Sequence, residues 1–246
     1  MEITAFVDTL DREGGLLASA AEEAGTGAAV PTCPGWQVRD LLRHTGMVHR
    51  WATAFVAEGL TSYHPDGGLP DLDGDELVAW FRKGHESLVA TLAAAPPDVR
   101  CWHFLPAPSP LAFWARRQAH ETAVHRLDAE AARGGTPADI DTDFAVDGID
   151  ELLCGMHARP KSAVRTEEPR TLRVRATDVP GAVWTVALSA EPPVAHRTDA
   201  GPADCELTGP AAELYAALWN RRPFPDVTGD GSLAALWRGK SAITWS

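Results

Sequence analysis

A glutamate and a histidine four residues apart, Glu121 and His125, carry the clearest chemical signal in this chain. At 3.6 residues per turn that spacing puts both side chains on one helical face, about one turn apart, near enough to bind one ion. They make half a metal site. His44, midway along another helical stretch, can supply the other half, because facing helices of a bundle project inward ligands toward a common point. Two imidazoles and a carboxylate suit a catalytic zinc site, where three N/O ligands leave a fourth position for water or substrate. The ordinary alternative for a Glu-x-x-x-His pair is a solvated pair on a surface helix, and spacing alone leaves it open. His49 and His120 are rivals among the nine histidines. Each is five residues from the nearest candidate histidine, about 140° around a helix, so they point elsewhere, to capping, stacking or solvent.

Other chemistries find less support. There is no Gly-x-Ser-x-Gly elbow and no complete His-Glu-x-x-His, which argues against a serine hydrolase or a zincin. Gly134-Gly135 and Gly229-Asp230-Gly231 lack the spaced glycines and lysine of a phosphate loop. Cys33, Cys101, Cys154 and Cys205 form no Cys-x-x-Cys pair and are expected to be reduced, small, buried side chains. The nine tryptophans are expected mainly in cores, with Trp36 or Trp51 able to line a pocket.

The elements that would position these residues follow from apolar periodicity. Phe6, Leu10, Leu17 and Ala21 mark a first helix, and Val38, Leu41, Leu42, Val48, Trp51, Ala52 and Phe55 a second. Leu77, Val78, Phe81, Leu88 and Leu92 mark a third, ended by Pro96-Pro97. Leu111 to Arg133 runs free of Pro and Gly until Gly134, giving a long fourth helix that carries Glu121 and His125. Val146, Ile149, Leu152, Leu153 and Met156 add a fifth stripe before Pro160. Beyond it the period becomes two: residues 171–175 and 183–188 flank Pro180-Gly181 as a hairpin, and 205–208 reads as a strand. A helix from Gly209-Pro210 through Trp219 and a short one over 230–238 complete the chain. The expected architecture is α+β: a four-helix-type bundle over residues 1–160 and a smaller α+β domain over 165–246.

Thirty-four acidic against 22 basic residues give a formal charge of −12, which repels phosphate backbones and anionic lipid heads. Nucleic acid is not an expected partner. The start has no basic patch before an apolar run, and no stretch of about 18 apolar residues occurs, so a cytoplasmic, non-membrane protein is expected. Oligomeric state is left open.

Two separated stretches resemble one family. Val30-Pro31-Thr32-Cys33-Pro34-Gly35-Trp36-Gln37-Val38-Arg39-Asp40-Leu41-Leu42-Arg43-His44-Thr45-Gly46-Met47-Val48-His49-Arg50-Trp51-Ala52 is similar to the second-helix signature of the mycothiol-dependent maleylpyruvate isomerases of actinobacteria, in the DinB-like metal-binding superfamily. Arg117-Gln118-Ala119-His120-Glu121-Thr122-Ala123-Val124-His125-Arg126-Leu127-Asp128-Ala129 resembles the metal-binding helix of that family, and residues 205–222 resemble its second domain. The resemblance implies a DinB-like bundle with a divalent metal, most simply Zn2+, on His44, Glu121 and His125. It implies mycothiol as thiol cosubstrate in isomerisation of, or transfer to, a small electrophile such as maleylpyruvate. Arg221 or Arg222 is the implied substrate anchor, although Asn220 stands where the family commonly has glycine. Two alternatives remain beside this reading: a hydrolase using metal-activated water on the same site, and a non-catalytic metal- or ligand-binding protein.

Overall fold

The computed structural model describes residues 1–243, so the last three positions of the expected second domain, 244–246, lie outside the described residues. The chain divides into two compact units, Met1–Ala138 and Asp139–Ser246.

The first unit is a bundle of four helices: α1 (Ile3–Ala24), α2 (Val38–Glu58), α3 (Gly74–Ala94) and α4 (Pro110–Arg133). Helix α1 packs mainly on α4 and α3, and α2 on α3 and α4. Leu10 and Leu17 of α1, Leu41, Leu42 and Phe55 of α2, and Phe81 and Leu88 of α3 are fully enclosed, each on the stripe its spacing defines. Helix ends follow local chemistry. The backbone N–H of Gln37 donates to the Asp40 carboxylate at 2.8 Å, opening α2, and Gly59 closes it with φ 63°, a left-handed conformation that costs glycine least. Ser109 caps α4 by accepting from the Ala112 N–H at 3.1 Å, with Pro110 at the first helical position.

Helix α4 is unlike the others, because it is buried on all sides while being rich in polar residues. Arg117, Gln118, His120, Glu121, Thr122, His125, Arg126, Asp128 and Glu130 are all buried. Charged groups are expensive to enclose unless paired, and here they are paired. Arg126 reaches Glu13 at 2.5 Å and Glu130 at 2.6 Å, tying α1 to α4.

The second unit begins with α5 (Thr142–Asp150), which runs on into a π-helical turn, Glu151–Met156, marked by the His157 N–H donating to the Leu152 carbonyl. A five-stranded sheet follows, with β1 (Arg170–Ala176), β2 (Val183–Leu188), β3 (Val194–His196), β4 (Cys205–Gly209) and β5 (Asp226–Gly229) in spatial order β3-β2-β1-β4-β5. The β1–β4 pair is parallel and the other three are antiparallel. Helix α6 (Ala211–Leu218) follows β4, and α7 (Gly231–Lys240) follows β5. The expected β1–β2 hairpin is present, turning at Gly181 with φ 77°. Strands β3 and β5 add to the expected set. They are edge strands of three and four residues, too short and too exposed to show alternation.

The division between the units falls at residue 138, earlier than the 160–165 read from the change of texture. Helix α5 is where the sequence places it but packs on α6 of the second unit. Phe144 meets the Tyr215 ring at 6.1 Å, and the Trp184 indole N–H donates to Asp150 at 2.5 Å. No helix among the described residues is long and apolar enough to cross a membrane.

A buried histidine makes the second unit sensitive to acid. The His157 ring lies 4.7 Å from Trp237, its Nδ1 is 3.0 Å from the Ser162 hydroxyl, and burial pushes its pKa down to about 4. The unfolded chain takes up this proton near pH 6.5 and the folded one only near 4, so the stabilising contribution is complete above 6.5 and lost as pH falls toward 4. The total is about 3 kcal/mol for the 2.5-unit window. Urea unfolding at pH 7 and pH 4.5 is expected to show a smaller acid loss in His157→Phe than in the wild type. Equal losses would show that His157 is not the group responsible.

Candidate metal centre

Helix α2 presents His44 toward the face of α4 that carries Glu121 and His125. His44 Nε2 and His125 Nε2 each lie 3.3 Å from Glu121 Oε1, and one ligand atom from each residue falls within 4.8 Å of the others. The His44 and His125 rings meet edge to face at 5.1 Å. This geometry can be tested against a metal. Ligands about 2.0–2.1 Å from a tetrahedral zinc ion stand roughly 3.3 Å apart, the spacing seen on both sides of Glu121. A carboxylate and two imidazoles of this separation fit one divalent cation. His44 is the most accessible of the three, with 18% of its side chain exposed against 8% and 10% for Glu121 and His125.

The electrostatics bind these groups to one another. Burial works against an ionised Glu121, but hydrogen bonds from His125 and His44 outweigh it and hold the carboxyl well below its usual range, with Arg117 adding to the effect. Burial likewise opposes a charged His125, yet Asp128 and Glu121 push its pKa up to about 9. Without a metal the two groups thus pair as carboxylate and imidazolium, and a cation would take the place of the proton on His125 Nε2. His125 Nδ1 donates to Asp128 Oδ2 at 2.9 Å, leaving Nε2 facing Glu121. Such a carboxylate behind a histidine orients the ring and raises its basicity as a ligand.

The loop before α2 closes around these residues. Val30 N–H donates to the Trp36 carbonyl, Trp36 N–H to Cys33 and Cys33 N–H to Val30, a tight turn that fixes both of its functional side chains. Thr32 Oγ1 donates to Asp128 Oδ1 at 2.5 Å. The Trp36 ring stacks over His125 at 6.3 Å and meets His44 edge-on at 5.3 Å. Arg117 Nη2 stands 3.5 Å from Glu121 Oε2. Spacing singles out none of Thr32, Asp128 and Arg117, and Trp36 only as a possible pocket residue. The one signal that points to Asp128 is its place three residues after His125, on the same helical face.

The remaining candidates make contacts of their own. His49 is buried, 2.8 Å from the Thr122 hydroxyl and 5.4 Å from the Phe81 and His85 rings, and burial holds it well below its usual pKa. His120 is buried against Phe6 at 6.1 Å. His120 meets Phe6 edge to face and His49 lies tilted against its two neighbours, and both rings are enclosed. Trp51 packs among Phe55, Tyr63, Trp102 and Trp114, donating its indole N–H to the His64 carbonyl. None of the four cysteines forms a disulfide, and Cys154, expected to be buried, is exposed. Arg221 and Arg222 lie in the second unit just after α6, following Asn220, whose φ of 63° explains why glycine suits that position. Arg221 Nη1 donates to the Trp219 carbonyl at 2.7 Å, and the Arg222 carbonyl accepts from Arg238 at 2.8 Å.

Comparison with known proteins adds a family to this geometry. Residues 7–130 match the mycothiol maleylpyruvate isomerase N-terminal domain, and residues 143–238 match the C-terminal domain of the same family. No curated protein matched the chain. Two solved crystal structures share the fold. One is of the mycothiol-dependent maleylpyruvate isomerase, at 12% identity and a TM-score of 0.64 over 93% of this chain and 92% of that one. The other is of a histidine-to-alanine mutant of that isomerase, at 11% identity and 0.63 over 90% of each chain. The family domains together span both units of the fold. The chain belongs to the mycothiol maleylpyruvate isomerase family, a family of enzymes.

Proposed function

We propose that this protein is a metal-dependent enzyme that uses a small thiol, mycothiol, to isomerise or modify a small electrophile such as maleylpyruvate. The observation that carries the reading is the convergence of His44, Glu121 and His125 on one point in a chain of this family. His44 and His125 would hold a divalent cation, most simply zinc, through their Nε2 atoms and Glu121 through a carboxylate oxygen. When bound, the cation favours thiolate over thiol, delivering a nucleophile at neutral pH from a group whose free pKa is about 8.5.

The protein's own residues prepare that chemistry. Glu121 stays ionised despite burial, supplying the negative charge a cation needs, and Arg117 keeps its second oxygen in place. Trp36 lies against both imidazoles, edge-on to His44 and parallel to His125, and adds apolar surface beside the ligands. In the isomerisation, the thiolate sulfur adds to the activated double bond, leaving a single bond in the adduct. Rotation about that bond and expulsion of the same thiolate restore the double bond in the other geometry, with no net proton or electron transfer.

Turnover of maleylpyruvate and simpler electrophiles with mycothiol, with glutathione and with no thiol tests the proposal. Activity with mycothiol and little without it is expected. Equal rates in the absence of any thiol would remove the thiol mechanism and favour metal-activated water.

A further inference from the structure

We propose that Thr32 and Asp128 are positioning residues for His125, and that the loop of residues 28–37 therefore serves as the outer shell of the metal centre rather than only as the lead-in to α2. This role rests on the metal reading of the triad. Three features carry it. Asp128 is wholly buried, with 0% of its side chain exposed, and spends one oxygen on His125 Nδ1 at 2.9 Å. Its other oxygen accepts from the Thr32 hydroxyl at 2.5 Å, a contact that spans 96 residues of sequence. The loop bearing Thr32 is locked by its own backbone hydrogen bonds and by pairing of Ala29 with Gln37.

The consequence is directional. A carboxylate with two free oxygens could rotate and accept from His125 in several poses, each tilting the ring differently. With Oδ1 held by Thr32, Oδ2 is left at one place, and the Nδ1–H bond to it fixes the imidazole plane so that Nε2 faces Glu121 Oε1 at 3.3 Å. Trp36, stacked over the same ring from the same loop, removes the remaining freedom about the plane. A burial role for Asp128 alone would need a partner for its charge but no such chain of contacts from loop to ligand. Outer partners of metal-bound histidines commonly change affinity by roughly 10–100-fold.

Zinc affinity of the full chain, read by competition with a chromophoric chelator, tests the role in the wild type, Asp128→Asn, Thr32→Val and Thr32→Ser. Affinity is expected to fall roughly 10–100-fold in Asp128→Asn. A smaller fall is expected in Thr32→Val, and wild-type affinity in Thr32→Ser, which keeps the hydroxyl. Thermal unfolding of the metal-free proteins separates misfolding from loss of ligand orientation, and Thr32→Val retains nearly the native shape should Asp128→Asn fold poorly. A second readout needs no metal: the His125 Nδ1–H resonance in metal-free protein is expected downfield and protected from exchange, moving upfield and exchanging faster in Asp128→Asn and Thr32→Val. Wild-type affinity in both variants, or an unchanged Nδ1–H resonance in both, overturns the positioning role. A wild type that takes up no zinc instead overturns the metal reading, and the resonance still decides whether Thr32 and Asp128 hold the ring.

Discussion

Removing the metal is expected to lower thiol-dependent turnover by about three orders of magnitude. Two losses combine. A free thiol of pKa about 8.5 is only roughly 3% thiolate at pH 7, so a cation that brings the pKa to 7 or below raises the reactive population roughly 15- to 30-fold. Charge stabilisation at the reacting centre adds a factor of roughly 10² or more when a preorganised electrostatic partner is lost. The measurement is the isomerisation rate of maleylpyruvate with mycothiol before and after chelation, with metal content determined on the same samples. Readdition of zinc should restore the rate. Full activity in protein shown to be free of metal would contradict the account.

Replacing Glu121 and His125 together by alanine is expected to reduce zinc occupancy from about one ion per chain to near none. The double variant is the informative one. Glu121→Ala alone takes from the buried His125 and Arg117 the carboxylate they share, and breaking a buried ion pair by removing one partner costs about 3–5 kcal/mol. Taking His125 away with it removes one positive charge along with the negative one, so the loss of metal can be read with less interference from unfolding. Metal analysis of purified protein, with circular dichroism to verify helix content, makes the comparison. Unchanged occupancy in the folded double variant would show that zinc resides on other residues.

Much of this site is legible in the amino-acid sequence, and the reasons divide by range of interaction. Glu121 and His125 are readable because helical geometry turns a spacing of four into shared direction. Their helix is delimited by Pro110 and Gly134 rather than by periodicity, since α4 is buried all round and shows no single apolar stripe. His44 can be placed on a helix but not aimed, because its approach to Glu121 depends on how α2 packs against α4. Thr32 and Trp36 depend on a loop conformation set by backbone hydrogen bonds between residues of no distinctive type. No local pattern announces that.

The fold shows the same division. Helices α1 to α3 bury one stripe each and are readable from that stripe. The stripe of α5 announces a helix without saying which core it joins, and its packing on α6 moves the boundary between units to residue 138. The antiparallel β1–β2 pair alternates and carries its turn in Pro180-Gly181, whereas β3 and β5 exist only because a longer neighbour supplies their hydrogen bonds.

The central claim, that His44, Glu121 and His125 hold one metal ion, is tested most directly by anomalous diffraction at the zinc absorption edge from crystals grown with zinc. One strong anomalous peak is expected among the three side chains, within about 2.0–2.2 Å of His44 Nε2, His125 Nε2 and a Glu121 oxygen. A peak placed elsewhere in the chain, with these three residues still bonded to one another, would contradict it.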